Sequence, residues 1–228
     1  MEFSVQTANP AKAETPCLLV PVYKGGDFLP TVAKLDDASE RLIGQLLERG
    51  DFDAALGNVQ LVPFAPGLGA ERILLVGLGE REKCQEAAFI KALDAAMTAL
   101  VKLPIDEASV VFGDVPLTDR DAAWKARKVM EAAERAIYRF DQFKSSPAPA
   151  PSLAKLTLII TDADAVPQVK QGALVGNAIG QGINYTRTLG NLPGNVCTPS
   201  YLAEQAEQLG RDSQGALEVD ILDEEALE

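Results

Sequence analysis

One glycine-rich segment has the residue types and spacing that could bind a phosphate. Gly77-Leu78-Gly79-Glu80-Arg81-Glu82 follows a predicted strand and precedes a predicted helix, which is the position of a dinucleotide-binding loop. Glu82 stands where the third glycine of that motif belongs, and the carboxylates of Glu80 and Glu82 would repel a pyrophosphate. The pattern therefore favours a tight strand-to-helix turn over a nucleotide-binding loop.

Three pairs of neighbouring acids could hold a metal ion or act as general acid and base. They are Asp36 with Asp37, Asp162 with Asp164, and Glu224 with Glu225. Each pair falls at a predicted helix end or loop, where carboxylates commonly cap helices or are solvated. We interpret all three pairs in this way, and we assign no residue of the chain to catalysis, cofactor binding or metal binding.

Histidine is absent from the sequence. This excludes Ser-His-Asp and Cys-His catalytic arrangements and imidazole metal ligands within the chain. The three cysteines, Cys17, Cys84 and Cys197, have neither the spacing of a zinc site nor that of a disulfide framework. They are typical of small, partly buried thiols in a reducing cytoplasm.

The composition is that of an acidic globular protein. Its 228 residues are 47% hydrophobic and 24% charged, enough for one large domain or one domain and part of a second. The formal net charge of −12, without a cluster of Lys and Arg, disfavours binding to nucleic acid. The sequence has no apolar run near the ~20 residues of a membrane span and no signal-peptide pattern at its start. We therefore expect a cytoplasmic location and no membrane partner.

Short apolar runs alternate with longer helical periods, which predicts an α/β fold. We predict strands at 3–7, 17–22, 58–63, 72–77, 108–112 and 156–160, and helices at 35–50, 85–103 and 119–143. The proline-rich stretch 144–151 predicts an exposed loop, after which the strand at 156–160 rejoins the same sheet.

A long helix is predicted at 169–189 although it contains Gly172, Gly176, Gly180 and Gly182. An interior glycine costs a helix ~1 kcal/mol relative to alanine. Small residues spaced by four allow close approach of another element, so we expect this helix to lie against one.

After a stop at 190–195, Thr198 as N-cap and Pro199 predict a new helix that ends near Gly210. A strand is predicted at 217–222 and a further helix from Asp223. A unit of this size cannot bury its own apolar faces. We therefore expect the last segment to be the truncated start of a second domain.

The run Arg187, Leu189, Asn191, Pro193 and Asn195, followed by Thr198-Pro199, closely resembles the entry to the catalytic domain of the leucyl aminopeptidases. These are the cytosol aminopeptidases of peptidase family M17. The segments 72–79 and 138–145 are also similar to that family.

The resemblance implies an organisation and an activity. Residues 1–165 would form an N-terminal α/β domain with a macro-domain-like mixed sheet flanked by helices. Residues 166–192 would form a connecting helix, and residues 193–228 the truncated start of an α/β peptidase domain. The full-length parent would be a hexameric metalloprotease that hydrolyses N-terminal residues, preferably Leu, from peptide substrates. It would use two divalent ions, Mn or Zn, held by Asp and Glu carboxylates and a Lys.

The family's metal-ligand motifs have no match in this sequence. We therefore expect the fragment to bind no metal, to be inactive by itself, and to serve assembly and access to the active site. Two alternatives remain: a nucleotide- or ADP-ribose-binding macro-like module, and a DNA-binding regulatory role. The missing phosphate loop counts against the first, and the acidic charge counts against the second.

Overall fold

The computed structural model describes residues 1–227, which form a six-stranded sheet and seven α-helices. The strands are β1 (Glu2–Thr7), β2 (Leu18–Tyr23), β3 (Val59–Val62), β4 (Ile73–Gly79), β5 (Glu107–Val110) and β6 (Lys155–Ile160). The helices are α1 (Pro30–Ala38), α2 (Leu42–Arg49), α3 (Glu86–Leu100), α4 (Ala122–Ile137), α5 (Val166–Asn191), α6 (Pro199–Asp212) and α7 (Glu224–Leu227). By its internal contacts the chain divides into two compact units, Met1–Asn184 and Tyr185–Glu228.

The sheet has the strand order β1-β6-β5-β2-β4-β3. All neighbouring strands pair in parallel except β3, which runs antiparallel to β4 at one edge. Every residue of β2 and β4 is buried, as expected for central parallel strands whose sequences are continuous apolar runs. The predicted α/β class with a mixed sheet flanked by helices is thus confirmed.

The six strands predicted within the first 165 residues are all present, with ends that differ by at most two residues. Strand β6 pairs with both β1 and β5, so the chain does rejoin the same sheet after the exposed loop at 144–151. This loop interrupts the sequence of the domain without dividing its core.

The helix predicted at 35–50 is wrong as a single element. Two helices, α1 and α2, are separated at Glu40 and Arg41, whose φ angles of 58° and 64° lie in the left-handed region. The side chain of Asp36 is 5% exposed, and its Oδ1 accepts a hydrogen bond from the backbone N–H of Gly44 at 2.9 Å. Asp36 therefore satisfies a free N–H in the first turn of α2 from within α1.

Replacing Asp36 with alanine should lower the free energy of unfolding by about 2 kcal/mol, because a buried N–H of α2 loses its acceptor. Asp37 is exposed, so Asp37→Ala is the matched control and should change stability by less than about 0.5 kcal/mol. Urea unfolding followed by circular dichroism measures both values. Equal effects of the two substitutions would contradict the capping role.

Two further predicted elements differ from the structure. Helix α4 is shorter than the predicted 119–143. At its start, Asp121 rather than Asp119 accepts the capping hydrogen bond, from Trp124 N at 2.7 Å, and at its end the extended backbone of Tyr138 stops the helix.

Residues 217–222 do not form a strand: Leu217 and Leu222 are exposed, and no strand of the described chain lies beside this segment. A strand needs a neighbouring strand to accept and donate its backbone hydrogen bonds. The alternation of apolar and polar residues in a sequence does not show whether such a neighbour exists.

Candidate functional site

A cavity of about 290 Å³ lies at the carboxyl ends of β5 and β6. Its floor is formed by the ends of these two strands, and one wall is formed by the first turns of α4. Most of its lining is aliphatic, including Val110, Ala126, Val129, Leu158, Ile160 and Val169. Apolar cavities of roughly 300–1,000 Å³ with a few polar groups are the usual form of small-molecule sites.

The cavity lies beside the point where the chain connections of the sheet diverge. After β2 the chain goes to β3 and β4 on one side, and after β5 it goes to β6 on the other side. Since β2 and β5 are neighbours, the segments that follow them separate and leave a crevice, where ligands of open α/β sheets bind. Thr31, after β2, and Gly113 and Asp114, after β5, all line the cavity.

Asp114 supplies a fixed carboxylate at the cavity. Its Oδ2 accepts a hydrogen bond from the backbone N–H of Thr31 at 2.8 Å. This N–H belongs to the first turn of α1, where Leu29 provides no side-chain cap. The other oxygen, Oδ1, is buried without a hydrogen-bond partner. A buried acceptor in this state is destabilising until a donor reaches it.

Lys125, in the first turns of α4, fixes the loop that carries Asp114. Its Nζ donates hydrogen bonds to the carbonyl oxygens of Gly113 and of Val115, the latter at 3.1 Å. Burial lowers the pKa of the Lys125 ammonium, and the carboxylates of Asp114 and Asp121 act in the opposite direction. The loop after β5 is thus held by two helices, with Thr31 on one side and Lys125 on the other.

The glycine-rich segment at 77–82 does not contribute to the cavity. Gly77 lies within β4, where an added Cβ would be 2.1 Å from the carbonyl oxygen of Ala55. Gly79 ends the strand with a φ of +74°, and Glu80 pairs with Lys83 at 2.6 Å. The glycines are required by close backbone packing and by a turn, as the sequence favoured, although the turn begins at Gly79 rather than Gly77.

The acid pairs do not come together in one cluster among the described residues. Asp162 lines the cavity and caps a short turn by accepting a hydrogen bond from Asp164 N at 3.0 Å. Asp36 is buried, so its interpretation as a solvated group is wrong, and it acts as the remote cap of α2. Glu225 is exposed, while the side chain of Glu224 lies outside the described residues. Among the side chains that the structure describes, no group of three or more Cys, Asp or Glu could hold a metal ion.

The three thiols are free. Cys17 and Cys84 are buried and Cys197 is half-buried. Burial raises the pKa of Cys17 to about 12, against the opposing charge of Arg72, and burial also raises the pKa of Cys84. A thiol with a raised pKa is a poor nucleophile, so neither of the two buried cysteines is a catalytic candidate.

Asp114 and Lys125 were not among the residues singled out from the sequence. The available signal was the position of Gly113-Asp114 directly after a predicted parallel strand, at the edge of the sheet where ligand-binding groups collect. No comparable signal in the sequence marked Lys125, because its hydrogen bonds depend on how the loop after β5 packs against α4.

The segment at 187–199 has the predicted local structure. Helix α5 ends at Asn191, and the backbone N–H groups of Val196 and Cys197 donate to the carbonyl oxygen of Pro193 at 2.8 and 2.9 Å. Thr198 Oγ1 accepts from Tyr201 N at 3.2 Å, and Pro199 is the first residue of α6. In the described part of the chain, no helix combines the length and hydropathy required to cross a bilayer.

Comparisons with known proteins agree with one another. The family model for the cytosol aminopeptidase family, N-terminal domain, matches residues 19–147. A probable cytosol aminopeptidase of Chromohalobacter salexigens is 66% identical over 228 residues, which are 100% of this chain and 45% of that protein. The cytosol aminopeptidase of Pseudomonas aeruginosa is 37% identical over 227 residues, 100% of this chain and 46% of that protein. The chain thus spans a little under half the length of these relatives.

Solved structures show the same fold. A mutant of tomato leucine aminopeptidase superposes with a TM-score of 0.81 at 20% identity, covering 100% of this chain and 45% of that one. The bottromycin maturation enzyme BotP, in complex with Mn, superposes with a TM-score of 0.65 at 23% identity, covering 87% and 37%.

Proposed function

This chain belongs to the cytosol aminopeptidase family, and we propose that it is the N-terminal part of an enzyme that removes residues from the N-termini of peptides. The observation that carries this proposal is the 66% identity to a probable cytosol aminopeptidase along the whole chain. The family's N-terminal domain model, which matches residues 19–147, supports the same assignment.

The finer features of this proposal come from the family. The parent acts preferentially on N-terminal Leu, as the name of the tomato leucine aminopeptidase suggests. It uses two divalent ions, Mn or Zn, and the Mn in the BotP complex supports the first of these. The carboxylates that the structure describes do not gather in a group of three or more, as a metal centre would require. The ions would therefore be held in the part of the relatives that this chain does not cover.

We assign the chain itself to assembly of a cytoplasmic homo-oligomer, a hexamer, and to access to the active site. An exposed apolar row on helix α5 supports the role in assembly. Val175, Ile179 and Ile183 recur every four residues and are each 38% exposed. Such an apolar row on a helix is suited to burial against further polypeptide.

The experiment compares three proteins in the hydrolysis of leucine p-nitroanilide with added MnCl₂. They are the 228-residue chain, the full-length Chromohalobacter relative, and a chimaera that joins this chain to the remainder of that relative. The full-length relative and the chimaera should hydrolyse the substrate and should lose activity with a chelator. The 228-residue chain should show no turnover.

Two results would contradict the proposal. Metal-dependent turnover by the 228-residue chain would disprove that the catalytic groups lie elsewhere. A chimaera that assembles like the relative and is inactive, under conditions where the relative is active, would show that this chain is not equivalent to the relative's N-terminal part.

A further inference from the structure

We propose that Glu134 binds the free α-ammonium group of Met1, and that the Met1 nitrogen is therefore a modification site at which an acyl group destabilises the fold. Strand β1 begins one residue after Met1, at Glu2, and Glu134 lies in α4. Both residues belong to the unit Met1–Asn184, so the whole site is present in this chain. The proposal does not depend on the peptidase function.

The two charged groups are in direct contact. The nitrogen of Met1 donates to Glu134 Oε1 at 2.7 Å, the length of a charge-assisted hydrogen bond. The two residues are 133 positions apart in the sequence, so the fold rather than local structure makes this contact. It joins the start of an edge strand of the sheet to the last turn of α4.

Glu134 needs a cation because its side chain is buried. It is 5% exposed, and a buried carboxylate that loses its counter-charge is strongly destabilising. Helix α5 covers its stem so closely that a Cβ added at Gly180 would be 2.5 Å from Glu134 Cβ. The second carboxylate oxygen is 3.5 Å from Asn184 Nδ2, a neutral donor. Among the described residues, no other ion pair of Glu134 is found.

The sheet holds the nitrogen of Met1 in position. The backbone N–H of Glu2 donates to the carbonyl oxygen of Ala154 at 3.0 Å, and Glu2 opens the parallel register of β1 with β6. The side chain of Met1 packs against the hydrophobic core. Because strand and core fix this residue together, a larger group on its nitrogen would have to displace the start of β1 or the side chain of Glu134.

Acylation changes the charge of the nitrogen as well as its size. A formyl or acetyl group converts the ammonium, a cation with three N–H donors, into a neutral amide with one. The amide can still donate a hydrogen bond to Glu134, but the buried carboxylate then has no counter-charge. The fold should therefore tolerate an acyl group much better once the charge of Glu134 has been removed.

The test is a thermodynamic cycle that combines formylation of Met1 with Glu134→Gln in the 228-residue chain. Bacterial expression with an inhibitor of peptide deformylase supplies the formylated chain, and intact mass verifies it. Urea unfolding followed by circular dichroism gives the unfolding equilibrium constant of all four forms. Formylation should raise this constant at least about tenfold in the unaltered chain. In Glu134→Gln it should change the constant less than about threefold.

Glu131→Gln is the matched control. Glu131 is also a buried glutamate of α4, and it pairs with Lys128 Nζ at 2.6 Å and with Arg127 Nε at 3.3 Å. Its replacement should destabilise the free and the formylated chain by the same factor, because Met1 is not one of its partners.

The proposal is overturned if formylation leaves the unfolding constant of the unaltered chain unchanged. It is also overturned if formylation has its full effect in Glu134→Gln, since the cause would then be the size of the formyl group and not the loss of the ion pair. Coupling to Glu131→Gln as large as that to Glu134→Gln has the same consequence. Should Glu134→Gln fail to fold, Glu134→Leu takes its place in the cycle with the same expected result.

Discussion

Alanine at both Gly172 and Gly176 should lower the free energy of unfolding by about 4 kcal/mol. Helix α5 lies so close to α4 that an added Cβ at Gly172 would be 2.1 Å from the carbonyl oxygen of Ala123. A Cβ at Gly176 would be 2.3 Å from the carbonyl oxygen of Arg127. These neighbours are backbone atoms of a helix, which cannot move without separating the two helices.

The same helix supplies the control. A Cβ at Gly182 would meet nothing within 4 Å, so Gly182→Ala should stabilise the chain by up to ~1 kcal/mol through helix propensity alone. Urea unfolding followed by far-ultraviolet circular dichroism measures all variants. A loss of stability in Gly182→Ala similar to that of the double variant would show that the effect is not due to contact with α4.

The contact between α4 and α5 also positions the cavity. Asp121, at the start of α4, accepts a hydrogen bond from Gln168 Nε2 in α5 at 2.8 Å, and Asn184 Nδ2 donates to the carbonyl oxygen of Glu134 at 2.8 Å near the other end. Lys125 and Ala126 of α4, and Val169 of α5, line the cavity. Because the glycines allow the close approach of these helices, we expect their replacement to disturb the part of the cavity lining that α4 and α5 share.

Patterns that are decided by local sequence predicted this fold well. The apolar runs that became β2 and β4 are buried along their whole length, as expected for central parallel strands. The small residues spaced by four in α5 predicted close packing, and Gly172 and Gly176 are in such contact. The identity of the partner, α4, could not be predicted, since the spacing describes one surface only.

Features that depend on distant residues were missed. The break between α1 and α2 places Glu40 and Arg41 in the left-handed region although neither is glycine, so no local signal marked it. It is accompanied by the remote cap that Asp36 provides for α2. Asp114 caps α1 from the loop after β5, and neither carboxylate lies where a local capping rule would look for it. The candidate site therefore could not be predicted from the sequence, because it depends on how the fold brings together the segments that follow β2 and β5.

Replacing Gly77 with alanine should lower the free energy of unfolding by about 3 kcal/mol. An added Cβ would be 2.1 Å from the carbonyl oxygen of Ala55 and 2.5 Å from the carbonyl carbon of Ala54. The hydrogen bonds Gly77 N to Asn58 O, at 2.8 Å, and Gly57 N to Gly77 O, at 2.9 Å, hold this segment against β4. The clash cannot be relieved without breaking the edge of the sheet.

Gly113→Ala is the matched control, because a Cβ there would meet only Ile160 Cγ2 at an ordinary 3.8 Å. It should change stability by less than about 1 kcal/mol in the same urea titration. The comparison also separates two explanations of the glycine-rich segment. If Gly77 served phosphate binding, it would face an open loop, and its replacement by alanine would leave the free energy of unfolding nearly unchanged. If Gly77 is needed because the backbone of Ala54 and Ala55 passes beside it, the Gly77→Ala variant should be much less stable than Gly113→Ala. Equal stability of the two variants would contradict this packing explanation.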